Sequence, residues 1–356
     1  MSRSSLFESH EMKIAVILAA HGEAETTRFM ENYRVTRQTL AHASQIMHIP
    51  GSLQKTIAVT SSLKKLIRSR TNAQCSPHNR ITRDQAGALQ QYLDSSPSAA
   101  AFDFEVHAAF SASPPYVEQI IERTRLYDGQ VIVSMSPIDN TLSCGQLCSC
   151  LAASHSPEEL GKVKVLSRFW SDERLCSIYC DYLFEDVSEH CRPQSAEHNE
   201  RRVLLLLFHG TLVKDAKGDS PLFRTGREET IQFAERLQAL MLSDPRNPYS
   251  RIMTVYLNHN VGGEWTRPSF EEVLAMFKED KKASSVGVDL FGCGYFADGN
   301  ETIHRAGELL HSSSVSKARS IPCLNSTPLF TAYLASRVID AARQITSLRG
   351  FTFPAL

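Results

Sequence analysis

The chain has 356 residues, 42% hydrophobic and 22% charged, with a formal net charge of -1, an ordinary globular composition at a length that suits two domains. The charge balance gives no reason to expect a nucleic acid or another acidic partner. No apolar run reaches the about 20 residues that cross a bilayer, and the opening MSRSSLFESHEMK lacks the apolar core of a signal peptide, so the expectation is a cytoplasmic protein with no transmembrane segment, peripheral membrane contact being left open.

In chain order, the first element is the run IAVILAAHG at 14–22, nearly continuous in apolar residues and ending in His21 and Gly22. Runs of this length bounded by Gly read as strands buried on both faces, as in the middle of a parallel sheet. A helix is predicted over 84–93, a strand over 102–108, a helix over 116–125 and a strand over 130–135. Cys144, Cys148 and Cys150 follow within seven residues. Without a second matched pair they read as small, ordinary residues rather than as a metal or iron–sulfur site, and no cluster is expected. Ser156, Pro157, Glu158 and Glu159 spell a helix start for a short helix over 157–161: a cap, a Pro in the first turn, acids at the positive end of the dipole. A strand over 162–167 and a helix over 171–184 complete this half.

Residues 188–200, polar and without period, read as a linker. The run VLLLLFHG at 203–210 then repeats the opening strand, again closing on His-Gly at His209 and Gly210. Helices over 227–242, 269–278 and 301–310 alternate with strands over 252–257 and 285–290. Such alternation implies parallel sheets with right-handed crossovers, here in two similar α/β units over 12–187 and 201–345. Ligands of these folds bind beyond the carboxyl ends of strands. His21 and His209 both sit there, so the cleft between the halves is the expected site, and the repeat predicts that the halves superpose with these two histidines equivalent.

His209 follows an apolar strand and precedes a Gly that lets the backbone turn. Such a histidine serves packing as readily as chemistry, but an imidazole at a strand end suits proton transfer and transition-metal binding. Glu301 opens a helix after the Gly-rich turn 292–300. It reads either as a first-turn acid complementing the dipole, with Asn300 as the cap, or as half of a Glu-x-x-His pair with His304 on the same face. There is no Walker lysine, no Gly-x-Gly-x-x-Gly after the first strand and no Gly-x-Ser-x-Gly elbow, so nucleotide-dependent and nucleophile-elbow chemistry lack support.

At this point several segments resemble the ferrochelatase family. GYFADGNET at 294–302 is similar to its GFxxDxxET stretch, and IPCLNSTPLF at 321–330 to its carboxyl-terminal signature. NHNVGGEWTRP at 258–268 resembles its GxxxWxxP run. Phe208, His209 and Gly210, followed by Gly218 and Asp219, resemble its catalytic-histidine motif. Ser76, Pro77, Asn79, Ile81, Thr82, Gln85 and Ala86 are similar to the loop before its first long helix. The resemblance covers about 70 to about 335, in the family's order.

It implies the chelatase fold: two similar Rossmann-type halves with parallel sheets and a porphyrin cleft between them. It also implies that His209 and Glu301 are the catalytic pair and the metal contacts, with porphyrin and ferrous iron as substrates and no tightly bound cofactor. A porphyrin loses two N–H protons as Fe²⁺ enters, so a base and a facing carboxylate suit the reaction, and bending the macrocycle exposes a nitrogen lone pair. Trp265 and Tyr295 match positions whose aromatic rings line the porphyrin pocket.

The sequence departs from the family at several places. His21 stands at a pocket position where the family has a Gly-rich or Tyr-containing turn, and is expected to act as a secondary metal or proton ligand. Phe110 and Ser111 stand where many members carry Arg-Tyr. Gly218, Asp219, Ser220 and Pro221 replace Gly-Asp-Pro-Tyr, and the family's cysteine cluster is absent after Pro328. The alternatives at this stage are a cobalt or sirohydrochlorin-type chelatase and a non-catalytic porphyrin-binding protein of the same fold.

Overall fold

Strand-forming runs at 12–20 and 202–209 each become an inner strand of a four-stranded parallel sheet, which is why both of their faces are apolar. The structure is a computed structural model that describes residues 12–44, 49–68, 75–186, 202–259, 262–279, 286–313, 315 and 317–349. The predicted linker 188–200 lies outside the described residues. The first sheet contains β1 (Met12–Ala20), β2 (Phe102–Phe110), β3 (Gly129–Ser134) and β4 (Val163–Leu166), in the order β2-β1-β3-β4. The second contains β5 (Arg202–His209), β7 (Arg251–Leu257), β9 (Gly287–Phe291) and β10 (Ala318–Ile321), in the order β10-β9-β5-β7. A short antiparallel pair, β6 (Leu212–Lys214) with β8 (Glu264–Trp265), stands beside it.

The two sheets have the same plan. Leu18 on β1 pairs with Ala108 and Val133, and Leu206 on β5 pairs with Thr254 and Phe291. At the strand ends Ala20 pairs with Phe110 and Phe208 with Tyr256, so His21 and His209, one residue on, occupy corresponding positions. The neighbouring strands even turn back alike, Phe110 N–H donating to Pro115 O at 2.9 Å and Tyr256 N–H to Pro268 O at 3.1 Å.

Alternation along the strands sorts side chains between two layers. Ile14, Val16 and Leu18 of β1, with Leu204, Leu206 and Phe208 of β5, face one continuous core shared by both halves. Ile17 and Ala19 face a separate outer cluster, as do Val203, Leu205 and Leu207. The long helix Pro328–Arg349 follows the second sheet in sequence but packs on β3, β4 and the helix His78–Ser95 of the first. Phe330, Leu334, Val338 and Ile345 are buried there. This helix, the helices Phe29–Ala43 and Gly51–Arg68, and β10 are elements that periodicity did not suggest. The short helix Pro157–Leu160 carries the expected start: Ser156 and Glu159 exchange side-chain-to-backbone bonds at 2.8 and 3.3 Å. No helix among the described residues is long and apolar enough to cross a membrane.

One ion cluster ties the second sheet together. Asp289 on β9 is fully buried, yet takes bonds from Arg202 Nε at 3.2 Å, Arg319 Nε at 3.0 Å and the Tyr249 hydroxyl at 3.0 Å. Burial opposes its ionisation, but the two guanidinium groups outweigh that and hold its carboxyl below the usual range. Removing the acid leaves two half-buried cations facing each other. Asp289→Asn should therefore lower unfolding free energy in urea at pH 7 by roughly 3–5 kcal/mol. The deficit should shrink as pH falls below about 4, because a depressed carboxyl stabilises only while it stays ionised. An equal deficit at pH 7 and pH 3 would contradict this assignment.

Candidate active site and metal centre

The site begins where β5 runs out of sheet. His209 is its last residue, half-exposed beyond the apolar run, and the chain turns away at Gly210. A Cβ on Gly210 would lie 1.9 Å from Asn258 Oδ1, so glycine is needed for β5 and the end of β7 to stay this close. Asn258 Nδ2 donates to Thr266 O at 2.8 Å, and the Thr266 hydroxyl accepts from Thr211 N–H at 2.8 Å. These bonds fold the β8 segment back, bringing Trp265 beside His259.

Glu301 arrives from the opposite direction, in the first turn of the π-helical stretch Asn300–Gly307, which continues as the helix Glu308–Ser312. Asn300 is not the cap that the sequence suggested but the first helical residue. The cap comes from the other half: Glu23 Oε2 accepts the Asn300 N–H at 3.0 Å, across 277 residues. Ser76 donates its hydroxyl to the same carboxylate oxygen. Asn79 clasps the Glu23 backbone, accepting from its N–H and donating to its C=O, both at 2.8 Å. Gln85 Nε2 donates to Phe296 O at 3.0 Å and Asn325 O at 2.9 Å. Asp298 in turn accepts from Cys323 N–H at 3.1 Å and Asn325 Nδ2 at 2.8 Å. Thus several polar residues of the motifs join the halves and aim the Glu301 helix.

Three ligand-capable groups meet at the end of these elements. Nε2 of His209 and Nε2 of His259 are 3.0 Å apart, and Glu301 Oε1 lies 3.6 Å from the first and 3.5 Å from the second. These are close enough for one cation, and two imidazoles with a carboxylate suit a first-row divalent metal. The Tyr295 hydroxyl donates to Glu301 Oε2 at 2.8 Å, leaving Oε1 toward the histidines. Burial disfavours the charged form of Glu301, but the histidines, Tyr295 and Arg305 together hold its carboxyl below the usual range. His259 is pushed down to about 4, chiefly by burial and then by His209. Its ring meets Trp265 edge-on, centroids 5.6 Å apart.

Of the residues singled out from the sequence, His209, Glu301 and Tyr295 are thus brought into contact, and Trp265 reaches them through His259. His259 itself was missed. Its signal was present: it lies two residues past the end of a predicted strand, where His21 and His209 drew attention. His304 does not join the group; Arg305, four residues on from Glu301, is the helix neighbour that lies beside it, at 3.9 Å. His21 stands apart from the three as well. Its Nε2 lies 3.3 Å from Thr39 Oγ1. Crowding by the surrounding protein lowers its pKa, while Glu23 and Glu301 act in the opposite direction. Phe110 is fully buried against Gly22, where an added Cβ would meet it at 2.6 Å, so its ring packs inward. Gly218 and Asp219 sit in an exposed turn closed on Asp215, with Asp219 N–H donating to Asp215 Oδ1 at 2.9 Å. Cys148 is exposed, while burial pushes the Cys144 thiol up to about 11 and raises Cys150.

Two parallel α/β sheets of one plan, with His209, His259 and Glu301 gathered beyond the strand ends of the second, describe a two-sheet α/β protein with a candidate metal centre. SirB from Bacillus subtilis, solved with Fe³⁺, aligns with TM-score 0.50 and 11% identity over 94% of this chain and 98% of its own. CbiX, described as the terminal enzyme for biosynthesis of siroheme in denitrifying bacteria, aligns with TM-score 0.48 and 13% identity over 92% of this chain and 99% of its own. A family model described as Ferrochelatase matches residues 13–342, so the chain belongs to the ferrochelatase family. A Ferrochelatase of Marinobacter nauticus is 28% identical over 193 residues, 52% of this chain and 48% of that protein. The matched region thus spans about half the length of that curated relative.

The depressed His259 has a measurable signature. Between the ordinary histidine value of 6.5 and about 4, the unfolded chain takes up a proton that the folded protein refuses. Stability should therefore fall as pH drops through that window. In ¹H–¹³C NMR of the metal-free protein, the His259 ring should titrate with a midpoint near 4. A midpoint near 6.5 would contradict the buried geometry.

Proposed function

We propose that this chain is a ferrochelatase enzyme, inserting ferrous iron into protoporphyrin IX or coproporphyrin III to form heme. Iron and the macrocycle are the substrates, and no tightly bound cofactor is invoked. The observation that carries the reading is the convergence of His209, His259 and an ionised Glu301 on one cation-sized space beside an indole, in a chain of this family.

The chemistry follows from the groups. Entry of one Fe²⁺ into a free-base porphyrin releases two N–H protons, so the site must accept protons and tolerate the metal's charge at once. His209 is the more open of the two imidazoles, and its Nε2 lone pair, once released from the His259 bond, serves as the base for a pyrrole proton. Glu301, held by Tyr295, supplies the negative charge that draws the metal and relays the two pyrrole protons in turn from the base to solvent. Trp265 offers a flat wall to a flat ligand. His21, near enough to Glu301 for the carboxylate to act on its charge, serves as a secondary metal or proton ligand.

His209→Ala and Glu301→Gln should each lower insertion by ~10²–10⁴-fold, while porphyrin affinity changes little, because the macrocycle is held mainly by contact over its faces. The losses should not multiply in the double variant, since both groups serve the same step. Fluorescence quenching beside turnover separates the two effects. Near-normal turnover in His209→Ala would end this mechanism, and affinity falling in step with rate would reduce His209 to a structural role.

The same reading includes peripheral membrane contact. The helix Gly51–Arg68 turns Gln54, Ala58 and Ser62 inward and leaves Leu53, Ile57, Leu63 and Ile67 exposed. At 3.6 residues per turn these four fall within an arc of about 120°. The helix has no acidic residue and carries Lys55, Lys64 and Lys65, a pattern that favours an anionic lipid surface. The protein should sediment with vesicles containing phosphatidylserine, and Leu63→Asp with Ile67→Asp should release it. Equal recovery of both proteins in the supernatant would remove the membrane from the account.

A further inference from the structure

Arg305 stands behind the metal centre and is not used by the mechanism above. Its Nη2 donates to the Asn258 carbonyl, and its Nη1 lies 3.4 Å from His259 Nδ1 and 3.9 Å from Glu301 Oε1. Its other side borders an open pocket of about 350 Å³ lined also by Glu271, Glu308, Leu309 and Ser312. A guanidinium has donors only and does not give up its proton in proteins. His259 Nδ1 must therefore accept in this contact, and the proton of its neutral ring sits on Nε2. That nitrogen faces His209 Nε2 at 3.0 Å, so the bond between the two rings runs from His259 to His209.

We infer that Arg305 is a positioning residue that sets how tightly the centre holds a divalent metal. It acts through His259. With its proton on Nε2, His259 offers a hydrogen bond where a metal would need a lone pair, and it becomes a third ligand only by moving that proton to Nδ1 and displacing Arg305. The guanidinium also adds a fixed positive charge beside Glu301, which opposes a dication there. A centre so arranged binds its metal weakly, as a group that must hand the ion to a macrocycle requires. This rests on the reading of the three residues as the metal centre.

The test uses Co²⁺ alone, at fixed pH, with the purified full chain. Arg305→Met should tighten Co²⁺ binding by at least ~10-fold, the removed charge and the freed lone pair acting together, and should change the visible d–d spectrum as a second imidazole joins. Arg305→Lys keeps the charge and should recover much of the weakness. In the unmodified metal-free protein, ¹⁵N chemical shifts should place the His259 proton on Nε2, a measurement that needs no variant to fold. A proton on Nδ1, or an Arg305→Met affinity equal to or weaker than wild type, would overturn the inference. Co²⁺ affinity unchanged by His209→Ala and Glu301→Gln would instead overturn the metal centre itself.

Discussion

The carboxylate of Glu23 at the start of the Asn300–Gly307 helix is the contact on which the site depends. It belongs to the first half and caps an element of the second, so the two sheets are joined at the point where Glu301 leaves the helix. A negative charge at a helix N-terminus satisfies an otherwise unpaired N–H and matches the dipole. Gly299 leaves room for that approach, since a Cβ there would sit 3.1 Å from both Glu23 oxygens. The Asn79 and Gln85 bonds and the shared apolar core add to the same union. A group made from β5, the end of β7 and this helix can then hold its geometry without a ligand.

Much of the fold was legible because strands of a parallel sheet must be apolar on both faces. The runs 14–20 and 203–208 announce themselves for that reason, and their common ending in His-Gly reveals the repeat. The helices Phe29–Ala43 and Gly51–Arg68 were not legible because they bury little: Asn32 is the buried residue of the first, and the second turns a polar face inward. The helix Pro328–Arg349 was hidden by the opposite cause. It buries residues around much of its circumference, from Phe330 and Tyr333 to Ala342 and Ile345, and so shows no clean amphipathic period.

Within the site, residues placed by strand ends were the readable ones. His209 and Glu301 could be singled out because each adjoins a Gly-rich turn at the edge of a predicted element. His259 follows the same rule and could have been found by it. The tertiary partners could not. Nothing local to Glu23 says that it caps a helix 277 residues away, and helical spacing alone places both His304 and Arg305 near Glu301 without saying which of them meets it. The Phe110 ring at the end of β2 likewise packs inward because β1 turns tightly at Gly22, a constraint of the assembled sheet.

The central claim is that the chain moves a metal into a porphyrin rather than merely holding either. Its most direct test is an anaerobic reaction of the purified protein with Fe²⁺ and a free-base porphyrin, protoporphyrin IX and coproporphyrin III in parallel, followed at the Soret band. The account predicts catalytic conversion of at least one macrocycle to its iron complex, with a shifted Soret maximum and loss of free-base fluorescence over many turnovers. Porphyrin that binds but keeps its free-base spectrum with Fe²⁺, and with Zn²⁺ in its place, would contradict it.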